Sequence, residues 1–204
     1  MQKVFPILAI SITLLSIVLV TIKTNIQNKK VNELATLLMQ GKYDEFDKLI
    51  DSNDYKNKLP ILNYFYLKLN KAIIIKNTTN IEEILNDNNL DKLSNKEKDI
   101  LYKRAFYYYL NEKDRNKTQK YYELIKQLNR QDFATIDRIY DTYINNGYEY
   151  LDDTLKQLNL AKDDNTKAQL ELLLSNMYAN KKDKDNVEKY LNLAQSHLNK
   201  KTDK

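Results

Sequence analysis

The chain is poor in the residues on which most enzyme chemistry depends. Its 204 residues include no cysteine, one histidine, two glycines and two prolines. The absence of thiols excludes zinc fingers, redox Cys-x-x-Cys motifs and cysteine nucleophiles. Gly41 and Gly147 are too far apart in sequence to share a Gly-rich phosphate-binding loop. Any histidine-based triad or metal site would have to use His197, which is expected on the surface, so the sequence predicts no metal and no cofactor.

Carboxylate chemistry is the one kind of catalysis that this composition leaves open. Adjacent acids occur at Glu82-Glu83 and Asp152-Asp153. Neighbouring positions on a helix point about 100° apart, whereas a general acid and base must converge on one substrate. Such pairs are typical of a solvated helix face. The sequence therefore predicts a protein that is not an enzyme.

The positive charge is concentrated at one end of the chain. Of the 33 Lys and Arg residues, Lys3, Lys23, Lys29 and Lys30 lie in the first 30 residues, which contain no acid. The remaining 29 basic residues are balanced by 28 acidic ones. A nucleic-acid-binding domain needs a basic surplus to displace counterions from phosphates. We therefore expect no nucleic-acid partner.

The segment Val4–Ile22 is a run of 19 uncharged, mostly apolar residues between Lys3 and Lys23. As a helix it would be about 28 Å long, close to the roughly 30 Å hydrocarbon core of a bilayer. A cleaved signal peptide has a shorter apolar region followed by a small-x-small site, which is missing here. The pattern favours a retained single-pass anchor over a cleaved signal peptide or a buried soluble helix.

The sequence predicts three regions. Residues 1–30 form the transmembrane signal-anchor and a basic juxtamembrane segment, residues 31–198 a helical domain, and residues 199–204 a disordered basic tail. Lys23, Lys29 and Lys30 are expected to meet anionic lipid headgroups. The flanking charges are nearly balanced, so they do not fix the orientation. A start resembling a bacterial export signal and a cysteine-free body favour an extracytoplasmic over a cytoplasmic location at the cell membrane.

The region after Lys30 has the periodicity of helices and no convincing strand alternation, which predicts an all-α fold. The segment Tyr43–Ile50 is one predicted helix, with Phe46 and Ile50 on one face. Capping-box spacing at Thr79-x-x-Glu82 and Ser94-x-x-Glu97 predicts two helix starts. The dipeptide Asn146-Gly147 predicts a helix end, because both residues tolerate a left-handed conformation.

The predicted helices form pairs that recur along the chain. The loops within the pairs are centred on residues separated by 36, 35, 34 and 34 positions: Gly41, Asn77, Glu112, Asn146 and Asn180. A period near 34 is the length of a repeat of two antiparallel helices that must stack to bury their apolar faces. Five such units account for nearly the whole region.

The fifth unit resembles the tetratricopeptide repeat. Leu174, Ser175 and Tyr178 match the first-helix pattern of that family, and the second-helix positions are matched by Val187, Leu191 and Ala194. The third unit matches at Tyr109, Thr118, Tyr122 and Ile125. In the fourth, Tyr143 takes the Tyr position, followed by Leu151, Leu155 and Leu158 after a loop one residue shorter. The inter-repeat proline and the tryptophan of the family are absent.

The resemblance implies a right-handed superhelix of about five antiparallel helix pairs, with the first helix of each pair lining a concave groove. It also implies a binding site for a protein or peptide in that groove, formed by Lys103, Tyr107, Asn111, Asp137, Asp141, Asn145, Asn176 and Asn180. Leu172 replaces the Lys with which one branch of the family clamps a C-terminal carboxylate, so that mode is not expected. The asparagines also fit the composition of an AT-rich bacterial genome, without any binding role.

Tyr107-Tyr108-Tyr109 and Tyr121-Tyr122 form the densest aromatic cluster. Three consecutive helical residues cannot all face the core, so at least one tyrosine of the triplet must be exposed. Two functions remain open: a membrane-anchored scaffold that binds a protein or peptide in its groove, in envelope assembly or secretion, and an accessory subunit that docks into a larger membrane complex through Tyr-rich surfaces. Neither requires a small-molecule cofactor.

Overall fold

The computed structural model describes residues 24–128 and 133–199. Within these ranges the chain is helical apart from its turns, without a β-strand, which confirms the predicted all-α class. The chain divides into two compact units, residues 1–101 and 102–204. The predicted anchor Val4–Ile22 and residues 200–204 of the predicted tail lie outside the described residues. In the part that is described, no helix is long and apolar enough to cross a membrane.

The described part of the first unit contains five helices and the start of a sixth. They are α1 (24–39), α2 (Tyr43–Ile50), α3 (Asn53–Lys56), α4 (Ile61–Ile74) and α5 (Thr78–Leu85), then a 3₁₀ turn (Asn88–Lys92) and α6 (Asn95–Asn111), which crosses into the second unit. The second unit continues with α7 (Arg115–Gln127), α8 (Phe133–Tyr140), a π-helical turn (Asp141–Asn145), α9 (Leu151–Leu160), α10 (Asp164–Asn180) and α11 (Lys184–Asn199).

The core of the first unit joins α1, α2 and α4. Phe46 and Ile50 are fully buried on one face of α2, as their spacing predicts, and they pack with Leu34 of α1. Lys30, expected at lipid headgroups, instead forms an ion pair with Asp54 and lies over the ring of Tyr55, with its Nζ 3.8 Å from the ring centroid. Lys30 is thus part of the folded unit, because α1 already includes residues 24–30.

Four of the five turns within the helix pairs have the same hydrogen bonds. In the α10–α11 turn, Lys182 N–H donates to the Ala179 carbonyl at 3.0 Å, and Asp183 N–H donates to the Tyr178 carbonyl at 2.9 Å. These bonds define a Schellman motif around one left-handed residue. The equivalent left-handed residues of the four turns are Gly41, Lys76, Lys113 and Lys182. Three-residue connections of this kind join antiparallel helices, so the fold is a series of helix pairs compatible with a helical repeat.

The residue that closes each of three Schellman motifs also begins the next helix. The side chains of Asn77, Asp114 and Asp183 accept the amide N–H three residues later, at 3.0–3.2 Å. Because Asn77 caps α5, Thr79 lies inside the helix and the predicted capping box Thr79-x-x-Glu82 is wrong. The second predicted box is confirmed, since Glu97 Oε2 accepts the Ser94 N–H at 2.9 Å and Ser94 Oγ accepts the Glu97 N–H.

The fourth turn differs from the others. A π-helical turn precedes Asn146, whose left-handed φ of 55° confirms the predicted helix end. The connection to α9 is therefore five residues long (146–150), and the expected shortening by one residue is wrong. Asn180 Nδ2 stabilises the turn by donating to the carbonyls of Thr142 and Gly147, both at 2.9 Å.

Tyrosine rings pack between the helices of the second unit. Tyr178 stacks on Tyr190, and Tyr140 stacks on Tyr122 with ring centroids 3.9 Å apart. The aromatic position on α11 is therefore Tyr190, and Leu191, predicted to pack there, is 39% exposed. Tyr143 is likewise exposed, so Tyr143 is not equivalent to Tyr178.

Candidate functional site

The second unit contains an open groove of about 1330 Å³. Its walls come from α6, α8 and α10, the first helices of three consecutive pairs, and from the end of α9. The apolar lining residues are Leu110, Ile139, Ile144, Leu160, Ala161, Leu170, Leu172 and Leu173, with the aromatic rings of Tyr107 and Tyr143. The first helices of these three pairs thus contribute to one groove.

Three groove residues are unusually exposed for their type. Leu160, the last residue of α9, is 78% exposed, and Tyr107 and Tyr143 are 43% and 42% exposed. Burial of their ring faces raises the pKa of both tyrosines, although the nearby ammonium of Lys103 partly lowers that of Tyr107. Large side chains with one free face gain apolar contact when a partner covers them.

The groove has charge of one sign. Lys113, Arg115 and Arg138 contribute to its lining, and no Asp or Glu is found among the described residues that line it. Arg115 begins α7 and donates to the Ile144 carbonyl at the end of the π-helical turn. Lys113 and Arg115 therefore lie at the end of the groove near the α6–α7 turn.

Arg138 is buried in the wall of the groove, with 3% of its side chain exposed. Its Nη atoms donate to Gln157 and to the carboxylate of Asp153, both on α9. Its Nε has no partner within the described part of the chain. A buried N–H without an acceptor costs free energy of folding.

Two of the eight predicted groove residues, Tyr107 and Asn111, line the observed groove. Lys103 lies one turn earlier on α6 and acts electrostatically on Tyr107. It does not line the cavity itself.

The predictions on α8 select the wrong face of the helix. Asp137 accepts the hydroxyl of Tyr122 at 2.7 Å and also that of Tyr150. It therefore joins α7, α8 and the start of α9 and does not face the groove. The groove residue is Ile139, two positions and so about 200° away. The predicted register makes Tyr143 equivalent to Tyr109 and Tyr178, whereas the stacked tyrosine of α8 is Tyr140.

Asp141 and Asn145 belong to the π-helical turn. Asn145 Nδ2 donates to Asp141 Oδ1 at 3.5 Å, while Asp141 Oδ2 is buried beside Gly147 without a partner in the described residues. Neither residue lines the groove. The extra residue of the π turn moves both away from the positions that a regular repeat predicts.

The amides predicted on α10 are used inside the protein. Asn176 Nδ2 donates to the Leu172 carbonyl at 2.7 Å and to the Tyr143 hydroxyl at 3.2 Å. Asn180 Nδ2 donates to two carbonyls of the fourth turn. The side-chain N–H groups of both residues therefore already have acceptors within the chain, and neither residue lines the groove.

Sequence patterns missed the charged and apolar residues that line the groove. Arg115 and Arg138 look like ordinary surface cations in the sequence, and only the packing of α9 shows that Arg138 is buried. Leu160 gave a weak signal of an exposed apolar residue in the sequence. It is a leucine at the end of a helix, and the loop that follows has no apolar residue one turn away to cover it.

The tyrosine cluster is mostly core. Tyr107 is exposed, as the consecutive triplet requires, whereas Tyr108, Tyr109, Tyr121 and Tyr122 are at least 91% buried. The exposed Tyr107 faces the groove. These five residues therefore do not form a separate Tyr-rich docking surface.

His197 is not the surface residue that was expected. Its side chain is 15% exposed, and Nδ1 lies 2.8 Å from Oε2 of Glu171, a buried residue of α10. Nε2 lies 3.9 Å from Asp164 at the start of the same helix. His197 thus joins α11 to α10.

Comparisons of this chain with models of protein families, with curated proteins and with solved structures give no match.

Proposed function

We propose that this protein is a membrane-anchored scaffold that binds a segment of a partner protein in the groove of its second unit. The observation that carries the proposal is the groove itself, which is apolar, free of acids in its described lining, and built from α6, α8 and α10. The groove residues that matter most are Tyr107, Tyr143 and Leu160, since their exposed apolar faces lie around the opening.

The fold proposed with this function is a tetratricopeptide-like right-handed superhelix of about five helix pairs. The left-handed turn residues Gly41, Lys76, Lys113, Asn146 and Lys182 support it, because they recur every 33 to 37 residues. Repeats of this kind present the first helix of each pair on one continuous surface. The groove is such a surface within the second unit.

The size of the groove favours a protein segment over a small molecule. Small-molecule sites have volumes of about 300–1,000 Å³ and enclose most of their ligand. The groove is larger, at about 1330 Å³, and it is open to solvent. The proposed activity is therefore binding, not catalysis, and it requires no cofactor.

The proposed membrane anchor is Val4–Ile22, with the body on the extracytoplasmic side of a bacterial membrane. The contacts of α1 would give this anchor a mechanical role. Lys30 pairs with Asp54, and Gln27 Nε2 donates to the Lys58 carbonyl at 3.1 Å. The residues shortly after the anchor are thus held to α3 and to the turn that follows it. The first unit would therefore remain close to the bilayer. Envelope assembly or secretion are the processes that such an anchored binding protein would serve.

Site-specific photo-crosslinking in intact membranes tests the proposal. A photoreactive phenylalanine at position 143 should crosslink a protein partner, because Tyr143 lines the groove. The matched control is position 148, where Tyr148 is 47% exposed but does not line it. Equal crosslinking from both positions, or none from position 143, would reject the groove as the binding site.

A pair of charge substitutions gives a second test. Leu160→Glu should abolish the crosslink from position 143 without changing the melting temperature, since Leu160 is 78% exposed. Met39→Glu is the control, because Met39 is 89% exposed and belongs to the first unit. A crosslink that survives Leu160→Glu unchanged would count against the proposal.

A further inference from the structure

We infer that the occupant of this groove is an amphipathic α-helix that carries acidic residues at the end nearest the α6–α7 turn. This inference rests on the proposed binding function and identifies the chemistry of the partner. An extended peptide is the alternative mode of recognition.

The hydrogen-bond donors of the groove favour a helix over an extended segment. An extended peptide leaves its backbone N–H and C=O groups to be satisfied by the binding protein. Asn176 and Asn180 already donate to groups of their own chain, so the amide side chains of the lining are Asn111, Gln157 and Gln169, few beside its eight aliphatic residues. A helix satisfies its own backbone and presents only side chains. The mainly aliphatic lining therefore fits the apolar stripe of a helix.

The charges of the groove fix the direction of that helix. Lys113 and Arg115 lie at the α6–α7 end, and Arg115 donates to the neutral Ile144 carbonyl, which leaves the guanidinium charge without a compensating anion in that bond. Acids on the ligand would meet these cations. Basic residues would be repelled, and the described lining has no acid to attract them. Electrostatic complementarity of this kind selects the partner and its orientation.

Arg138 gives the same preference further along the groove. Arg138 lies on α8, six residues before Ile144 of the π-helical turn, a separation of about 9 Å at the rise of a helix. The buried Nε of Arg138 lacks an acceptor in the described structure. The guanidinium already pairs with Asp153 and its Nε–H is enclosed in the wall, so a second acid on the ligand, about two turns from the first, would be attracted here by charge alone and more weakly than at Lys113 and Arg115.

Three labelled synthetic peptides test the inference against the full chain in detergent, by fluorescence anisotropy. The first is a helix with Leu at positions i, i+3, i+4 and i+7 and Glu two turns apart on the flanks. The second has Lys in place of every Glu. The third keeps the Leu and Glu residues of the first, reordered so that Leu alternates, and adds a central proline that prevents a helix. We expect the first to bind about tenfold more tightly than either of the others at low salt.

Two variants locate the charge effect with a matched control. Lys113→Glu should weaken binding of the acidic helix about fivefold. Lys182→Glu should leave the affinity unchanged, since Lys182 is the equivalent left-handed residue of the α10–α11 turn and does not line the groove. Higher salt should reduce the difference between wild type and Lys113→Glu, because exposed charges are screened.

The outcomes separate this inference from the proposed function. Equal affinity for the acidic and basic helices would show that the occupant is not selected by its acidic residues. Equal or tighter binding of the non-helical peptide would show that the occupant is not a helix. Failure of all three peptides to bind overturns the inference, while the crosslink from position 143 still decides the groove function. If the acidic helix binds and Leu160→Glu has no effect on it, the groove is not the site and both proposals fail.

Discussion

Tyr178 on α10 and Tyr190 on α11 stack face to face, with ring centroids 5.4 Å apart and ring planes inclined by 6°. Tyr109 and Tyr121 form the same pair across the α6–α7 turn, at 5.6 Å and 8°. Both pairs are 12 residues apart in sequence and enclose a Schellman motif. The stacked tyrosines therefore join the two helices of a pair at the end where the chain turns.

Replacing Tyr190 tests the importance of this stack. Tyr190→Ala should lower the free energy of unfolding by about 3 kcal/mol, because it removes a buried ring and leaves Tyr178 without its stacking partner. Leu191→Ala is the neighbouring control and should cost less than about 1 kcal/mol, since Leu191 is 39% exposed. Urea unfolding followed by circular dichroism measures both. A larger loss for Leu191→Ala would restore the register that the sequence predicted.

Ala194 tests the tight contact between α10 and α11. Ala194 is fully buried, so Ala194→Asp would place a charge without a partner in the interface and should cost at least about 3 kcal/mol. Gln195→Asp introduces the same group at an exposed position and should change stability by less than about 0.5 kcal/mol. Similar melting temperatures for the two variants would show that this interface is open.

The left-handed lysines limit the stability of the fold. Lys182 has a φ of 65°, which costs a residue with a Cβ about 1 kcal/mol relative to glycine. Lys182→Gly should therefore raise the free energy of unfolding by about 0.5–1 kcal/mol. Lys181→Gly should lower it by a similar amount, since Lys181 has right-handed dihedrals (φ −76°). A destabilising Lys182→Gly would mean that the lysine side chain contributes more than its backbone strain costs.

Gly147 leaves room for the carboxylate of Asp141. A Cβ at position 147 would lie 1.9 Å from Asp141 Oδ2, so Gly147→Ala should destabilise the protein by about 1–3 kcal/mol. Asp141→Ala removes the obstructing group, and the double variant should recover most of that loss. A double-mutant cycle on the free energies of unfolding measures the coupling. Additive effects of the two substitutions would contradict the close approach.

Asp137 should control the alkaline stability of the second unit. Its hydrogen bond and burial raise the pKa of Tyr150 to about 12 from the usual 10.0. Since the folded pKa is the higher one, this contribution is complete below pH 10 and is lost as the pH rises from about 10 to about 12. Asp137→Asn should lower the pKa of Tyr150, because it removes the negative charge beside the phenolate.

The measurement for Asp137→Asn is tyrosinate absorbance against pH, with Tyr150→Phe to assign the transition. The loss of helical circular dichroism should follow the same pH interval. An unchanged titration of Tyr150 in Asp137→Asn would show that burial alone sets its pKa.

Local signals in the sequence were sufficient for several of the helices and their ends. Phe46 and Ile50 mark the buried face of α2, Asn146 marks a helix end, and Ser94 with Glu97 marks the start of α6. Each depends on residues within about one helical turn, so that no distant contact is needed to recognise it. The same property explains the correct period of the loops.

Only the tertiary structure decided which faces of the helices remain open and which polar groups are already used. Asp137 and Asn180 have the spacing of groove residues, yet distant hydroxyls and carbonyls engage both. Arg138 was inconspicuous in the sequence, and the packing of α9 buries it in the groove wall. A single π-helical turn rotates α8 relative to a regular repeat, and periodicity alone cannot register one inserted residue. The sequence by itself determined the helices and their order, since those depend on neighbours along the chain, whereas the groove depends on residues brought together from three helix pairs.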